Sequence, residues 1–282
     1  MHTTILMLFV ACGSGNPSGM DWLIEPMELG SYAKGTGYTF DSPQSTWFAG
    51  EHALPELRWT VPPSNIPIYL WEDVLGGENV WDAGSCPYLT LDGNKTTWSA
   101  NCRSQEGYDW SGSVSLTETN EAQRAELWEF DIEVSSDREG RIFEHIRMEG
   151  TIHYITGDNT PLARHAQANI KIEAPGYWEG AFDDELDAAW TDLKMTGIWE
   201  SQVKNDQEFW QVDAAVDLGS MGGFTVFTEQ LWVETDCAGE PRGEALLSGT
   251  NEARLSFEGA DTCNGCAQLW LDDERAPNAC QD

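Results

Sequence analysis

Basic residues are scarce. Fifteen Lys and Arg stand against forty-eight Asp and Glu in 282 residues, a net charge of −33. So negative a chain repels phosphate backbones, which excludes nucleic acid as a partner, and its acidity suits a heavily solvated surface in salty surroundings. Long apolar runs are equally missing: past the N-terminus no stretch is long enough to span a bilayer as a helix. The motifs of familiar catalytic machinery are absent too, with no Gly-x-Ser-x-Gly elbow, no P-loop, no His-Glu-x-x-His and no dinucleotide-binding glycine pattern. Among forty-eight acids any one carboxylate pair is uninformative, so glycoside hydrolysis has no designated residues. No catalytic residue and no cofactor is expected.

What the chain does contain is alternation. From Trp110 to Ala174 one parity carries the apolar side chains: Trp110, Val114 and Leu116; Trp128, Phe130, Ile132 and Val134; Ile142, Ile146, Met148, Ile152 and Tyr154; Ala166, Ala168, Ile170, Ile172 and Ala174. The opposite parity is mostly polar. A period of two across three turns predicts a four-stranded antiparallel meander with one buried and one wet face. Short strand-like runs resume at Met195–Trp199, Phe209–Leu218, Phe224–Val233, Ala245–Ser248, Ala253–Phe257 and Ala267–Leu271, separated by Gly, Asn and Asp turns. The chain therefore reads as all-β, an antiparallel meander forming a sandwich or (half-)barrel. Its one expected helix lies near 183–193, where Phe182, Leu186, Ala189, Trp190 and Leu193 share a face behind an acidic first turn.

The expected organisation is a signal segment over 1–12, a tether and extended lead-in over 13–45, a β domain or first half of one sheet over 46–176, and a second, disulfide-stapled half over 177–282. Within 46–74 the prolines Pro62, Pro63 and Pro67 predict edge strands or loops, including Ile68–Trp71. Tyr88–Leu91 and Thr96–Ser99 flank Asp92-Gly93-Asn94, a hairpin signal.

Seven cysteines are present, and setting Cys12 aside leaves six: Cys86, Cys102, Cys237, Cys263, Cys266 and Cys280. Fifteen connectivities are possible. Proximity favours Cys86 with Cys102, Cys237 with Cys263, and Cys266 with Cys280. Cys263-Asn-Gly-Cys266 lacks the second Cys pair or paired histidines of a zinc site. The acidic runs Asp183-Asp184-Glu185 and Asp272-Asp273-Glu274 lack the spacing of a calcium loop and read as solvated surface.

Two groups are candidate sites. On the polar face, counting back across the turn at 157–161 sets His153 opposite His165, and His145 falls opposite Asp131 or Glu133; His145, His153 and His165 are the weak metal candidates, and no metal is expected. On the apolar face, Trp128, Phe130, Ile146 and Met148 would line a ligand cavity if the meander curls into a half-barrel instead of packing solid. Fourteen tryptophans are mostly core residues by parity, and Trp178, Trp190 and Trp270, beside acids and turns, are the first suspects for stacking on sugar rings.

The N-terminal apolar run Ile5–Val10, followed by Ala11, Cys12 and the small-residue tether Gly13–Gly19, resembles a bacterial lipoprotein signal. The resemblance implies cleavage after Ala11, lipid on Cys12 and, with Gly13 in place of Asp, sorting to the outer membrane. With the Cys-Pro that opens a bridged hairpin and the Cys-x-x-Cys before a final Cys, the layout is similar to that of Trp-rich, disulfide-bearing lipoproteins of Gram-negative bacteria, a group that brings no defined activity with it. The expectation is a non-enzymatic, lipid-anchored cell-envelope protein acting as a binding or structural module and held to the membrane through its lipid. The alternatives are a carrier of lipid or another hydrophobic ligand, and a glycan-binding protein or hydrolase.

Overall fold

A computed structural model describes residues 37–55, 66–76, 86–104, 107–120, 123–136, 145–157, 163–173, 192–204, 207–233, 241–258 and 265–280. The strands are β1 (Tyr88–Asp92), β2 (Lys95–Arg103), β3 (Tyr108–Asn120), β4 (Gln123–Ser136), β5 (His145–Gly157), β6 (Ala163–Glu173) and β7 (Asp192–Lys204). They continue with β8 (Gln207–Asp217), β9 (Gly223–Val233), β10 (Pro241–Ser248), β11 (Glu252–Glu258), β12 (Cys266–Leu271), β13 (Glu274–Arg275) and β14 (Ala279–Cys280). All belong to one antiparallel sheet in which β1 to β13 pair in sequence order, with β14 added to β12. The all-β meander is thus what the molecule is. β6 pairs with β7 residue by residue from Ala163↔Gln202 to Glu173↔Asp192, so the sheet passes unbroken from its first half to its second.

The parity read from the sequence is the parity of burial. Trp110, Val114, Leu116, Trp128, Phe130, Ile132, Val134, Ile146, Met148, Ile152, Ala166, Ala168, Ile170 and Ile172 are all buried in one core, and Tyr154 packs half-buried against it. Ile142 and Ala174 lie outside the described residues. Each predicted short strand of the second half falls within β7 to β12, except that Leu218 lies one residue past the end of β8. At β1–β2 the two residues between Asp92 and Lys95 close the hairpin, with Gly93 at φ +62 in the position that two-residue turns reserve for positive φ. At β12–β13 both turn residues, Asp272 and Asp273, have positive φ, so the acidic run read as surface is a tight hairpin turn.

Glycines on the apolar face let the backbones of neighbouring strands approach closely. Gly112 on β3 faces Ile132, and Gly150 on β5 faces Phe130 and Ile170. Gly197 on β7 faces Ala168 and Ala214, which continues a diagonal that steps two residues at a time along the shared strands β4 and β6. Gly150 has φ +128, and a Cβ there would lie 2.1 Å from the carbonyl oxygen of Asn169. Glycine inside a strand marks a tight bend where backbones approach closely.

Two expectations are corrected by the helices. Residues 43–45, assigned to the extended lead-in, begin α1 (Pro43–Glu51), and Ile68–Trp71, expected as an edge strand or loop, lie in α2 (Ile66–Tyr69) and a π-helical segment, Leu70–Gly76. α1 starts at a capping box: Ser42 accepts from the amide of Ser45, the Ser45 hydroxyl accepts from the amide of Ser42, and Pro43 occupies the first turn, where its missing N–H costs nothing. Six consecutive residues, Ser45 to Gly50, are buried. With every side of the helix enclosed, no apolar stripe of period 3.6 exists for a sequence to show. The expected helix near 183–193 is corrected at its end, since Asp192 and Leu193 are the first residues of β7, paired with Glu173 and Ile172; its other residues lie outside the described ones.

Both helical pieces sit on the apolar face. Trp47 of α1 meets Phe257 of β11 edge-on at 6.2 Å, and the Trp199 indole of β7 donates to the Ala53 carbonyl at 2.9 Å. Trp71 of the π segment meets Trp98 of β2 at 5.5 Å and Trp110 of β3 at 6.0 Å. Residues 37–40 close one end: the amide of Tyr38 donates to Gly223, the amide of Thr250 to Tyr38, and Asn251 holds both the amide and the carbonyl of Phe40.

Of the three predicted disulfides, Cys86–Cys102 and Cys266–Cys280 are formed, and Cys237 and Cys263 lie outside the described residues. The first joins the start of the β1–β2 hairpin to its far end; the second joins β12 to β14. Stable disulfides place the chain outside the reducing cytoplasm. No helix of the described residues is long and apolar enough to cross a membrane. Opening Cys86–Cys102 by the double substitution C86S/C102S removes a loop constraint worth about 3 kcal/mol, and the urea midpoint of the variant should match that of the reduced protein if this bridge carries the effect of reduction.

Candidate functional site

The three histidines do not converge. β5 and β6 pair two residues away from the expected register, so His153 stands opposite Gln167, and His165 opposite Ile155. The five-residue connection between these strands does not set register as a two-residue turn does. His145 is opposite Ser135, corrected from Asp131 or Glu133, although its Nε2 reaches Glu133 diagonally at 3.0 Å. His153, placed by parity on the wet face, is 8 % exposed. Among the described residues no group of three or more His, Cys, Asp and Glu is placed to hold a metal ion.

The polar face carries instead a ladder of charge that parity alone does not reveal. Asp131, Glu149, Lys171, Lys194 and Asp217 lie in one row across β4 to β8, and Glu133, Arg147, Glu173 and Asp192 in the next. Lys171 pairs with Glu173, and Arg147 with Glu149. On β7 and β8 this row is not solvated: Lys194 is 2 % exposed and Asp217 1 %. Burial holds the Asp217 carboxyl above the usual aspartate range, against the opposing pull of the Gly219 amide, which donates to its Oδ1 at 2.9 Å, and of Lys194. Burial likewise pushes the Lys194 amine down and the Asp192 carboxyl up, the latter helped by Glu173 opposite it. Elsewhere on this face Glu129 stays below the usual range because Ser115 and Lys95 both donate to it. Sequence could not single out Lys194 and Asp217, because nothing in a polar parity says which positions the rest of the chain covers.

A raised folded-state pKa means that the contribution of Asp217 to stability is full below its unfolded value, about pH 4, and is lost as pH rises through the folded value. For Lys194, with a lowered folded-state pKa, the contribution is full above its unfolded value and is lost as pH falls through the folded one. D217N keeps the acceptor for Gly219 and removes the buried charge. Its stability relative to wild type should therefore rise as pH climbs from 4 towards neutrality in paired urea titrations; a difference flat with pH would contradict the burial.

The cavity candidates Trp128, Phe130, Ile146 and Met148 are brought together in the core, all buried. Trp128 and Phe130 lie nearly parallel at 6.0 Å, and Trp98 stacks on the other neighbour position of Trp128 at 6.0 Å. With Trp71 and Trp110 they make an aromatic wall under the π segment. The Trp128 indole donates to Glu126 and that of Trp199 to Ala53, whereas the buried indole N–H groups of Trp71, Trp110 and Trp210 have no acceptor among the described residues. Trp71 and Trp110 are residues that parity classed as core or that fell in a supposed edge strand, and no sequence signal distinguishes an unpartnered indole. Of the glycan suspects, Trp270 lies under the Arg254 guanidinium at 4.4 Å, a cation–π contact that occupies one ring face; Trp178 and Trp190 lie outside the described residues.

The class defined by fold and bridges is a disulfide-stapled, all-β protein of an oxidising compartment, built on one bent meander roofed by its own N-terminal helices. The chain matches no protein-family model, no curated protein and no solved structure.

Proposed function

We propose that the protein is a non-enzymatic, lipid-anchored module of the bacterial cell envelope that works by binding. The observation that carries this reading is the roofed aromatic wall: a continuous apolar sheet face lies under a separate helical stretch of the chain, and both the stretch and the face carry buried indole donors with no acceptor among the described residues. The buried charges of β7 and β8 are explained by their covered position and give no reason to assign a reaction. Anchoring follows from the lipoprotein-like start, with the lipid on Cys12 and the outer membrane as destination. In the producing cell, labelled palmitate should enter the chain and be lost in C12A, and native mass spectrometry of protein purified from its own envelope should show a co-purifying small molecule. A chain that is unlabelled and free of ligand overturns the reading.

The second reading, a carrier of hydrophobic ligand, is favoured by the indoles of Trp71, Trp110 and Trp210, buried with no acceptor among the described residues. It requires the helical segment to move, because Trp128, Phe130, Ile146 and Met148 are packed in a continuous core with that segment in place.

A further inference from the structure

We infer that an acyl ester binds between the π segment and β2–β3 when that segment lifts, its carbonyl oxygen accepting from the indole N–H groups of Trp71 and Trp110. The inference rests on the binding reading above and names the chemistry of the ligand. Trp71 is 0 % exposed and Trp110 5 %, their rings meet edge to face at 6.0 Å, and neither indole has an acceptor among the described residues. A buried donor left unpaired costs about 1–3 kcal/mol, and the large majority of buried side-chain polar atoms in native interiors have a partner. The other large side chains at this place, Trp98, Trp128 and Phe130, are all aromatic.

The chemistry of the missing acceptor follows from what surrounds it. A water molecule would take both N–H groups but needs acceptors for its own hydrogens, and buried waters keep several polar partners. A carbonyl oxygen has two lone pairs and no hydrogen to place. A carboxylate would bring a charge into an apolar interior, where burial is costly, within a chain already at −33. A neutral ester carbonyl on an alkyl chain satisfies both donors and fills the aromatic surroundings. The donor Trp71 is carried by a π-helical segment, Leu70–Gly76, a conformation that is rare and frequently found at functional sites. Entry needs this segment to lift from β2 and β3, since Trp71 is fully enclosed.

The test uses the purified protein with methyl decanoate carrying a 13C carbonyl. One ester per chain is expected in native mass spectrometry, with its carbonyl stretch moved to lower frequency than in hexane. W71F and W110F keep a ring and lose the N–H; each should weaken binding about tenfold, the effect of one hydrogen bond, and shrink the frequency shift. W210F removes an unpartnered indole donor on β8 and should leave both readouts unchanged. Absence of bound ester, affinity unchanged in both W71F and W110F, or an equal loss in W210F overturns the assignment. Circular dichroism identifies a variant that fails to fold, in which case the other of the two decides. Palmitate labelling and the ligand in envelope-purified protein test the module reading separately, so the two can fail independently.

Discussion

Replacing Gly150 with alanine should cost about 4 kcal/mol, the upper range for a single substitution that forces a strained backbone apart, and so remove a large share of a typical domain's 5–15 kcal/mol. Two costs combine. At φ +128 an L side chain is disfavoured in itself, and the added Cβ would lie 2.1 Å from the Asn169 oxygen and 2.9 Å from the Ile170 Cα on the neighbouring strand. Neither neighbour is the free end of a side chain. Both belong to the β5–β6 ladder, so relief means breaking strand pairing in the middle of the sheet. Gly93 provides the comparison, because it also has positive φ but nothing within 4 Å of its Cβ position. G93A should therefore cost only the conformational part, about 1–2 kcal/mol. Urea unfolding of both variants reads the difference; equal losses would mean that the bend at Gly150 tolerates a side chain.

That bend also marks how far sequence reasoning reached. Parity identified the buried face of β3 to β6 because a strand with one wet side must alternate, and a slip of one residue would turn every side chain over. It could not see that Gly150 on this face is a corner, since a glycine between Met148 and Ile152 satisfies the alternation without revealing its φ. Register failed by two residues at His153 for a related reason: a shift of two preserves parity and therefore leaves no trace in the pattern. α1 was missed because six consecutive residues, polar Ser45 and Thr46 among them, are buried and leave no apolar stripe, although Ser42-Pro43 followed by Ser45 was an available start signal. The disulfides Cys86–Cys102 and Cys266–Cys280 were legible because both close short loops. Lys194 and Asp217 were not, because their burial depends on what covers a face that composition marks as wet.

The roof over the apolar face should prove as dependent on Trp199 as the bend is on Gly150. Its indole is fully buried on the central strand β7, and its N–H donates at 2.9 Å to the Ala53 carbonyl just beyond α1, across 146 residues of sequence. W199A removes the largest side chain at this contact and should cost about 4 kcal/mol, in the range of buried Trp-to-Ala replacements. W199F keeps most of the ring and strands the Ala53 carbonyl, so it should cost about 1–2 kcal/mol. Hydrogen exchange then separates local from global loosening. The amides of Ala53 and Leu54, which donate to Gly50 within the last turn, should lose protection in W199F while the sheet amides keep theirs. If W199F leaves those two amides protected, the helix is held by its apolar contacts alone, Trp47 on Phe257 among them. Loss confined to the roof would instead show that α1 can release from β7 without unfolding the meander, which is the freedom a ligand entering beneath the N-terminal helices would need.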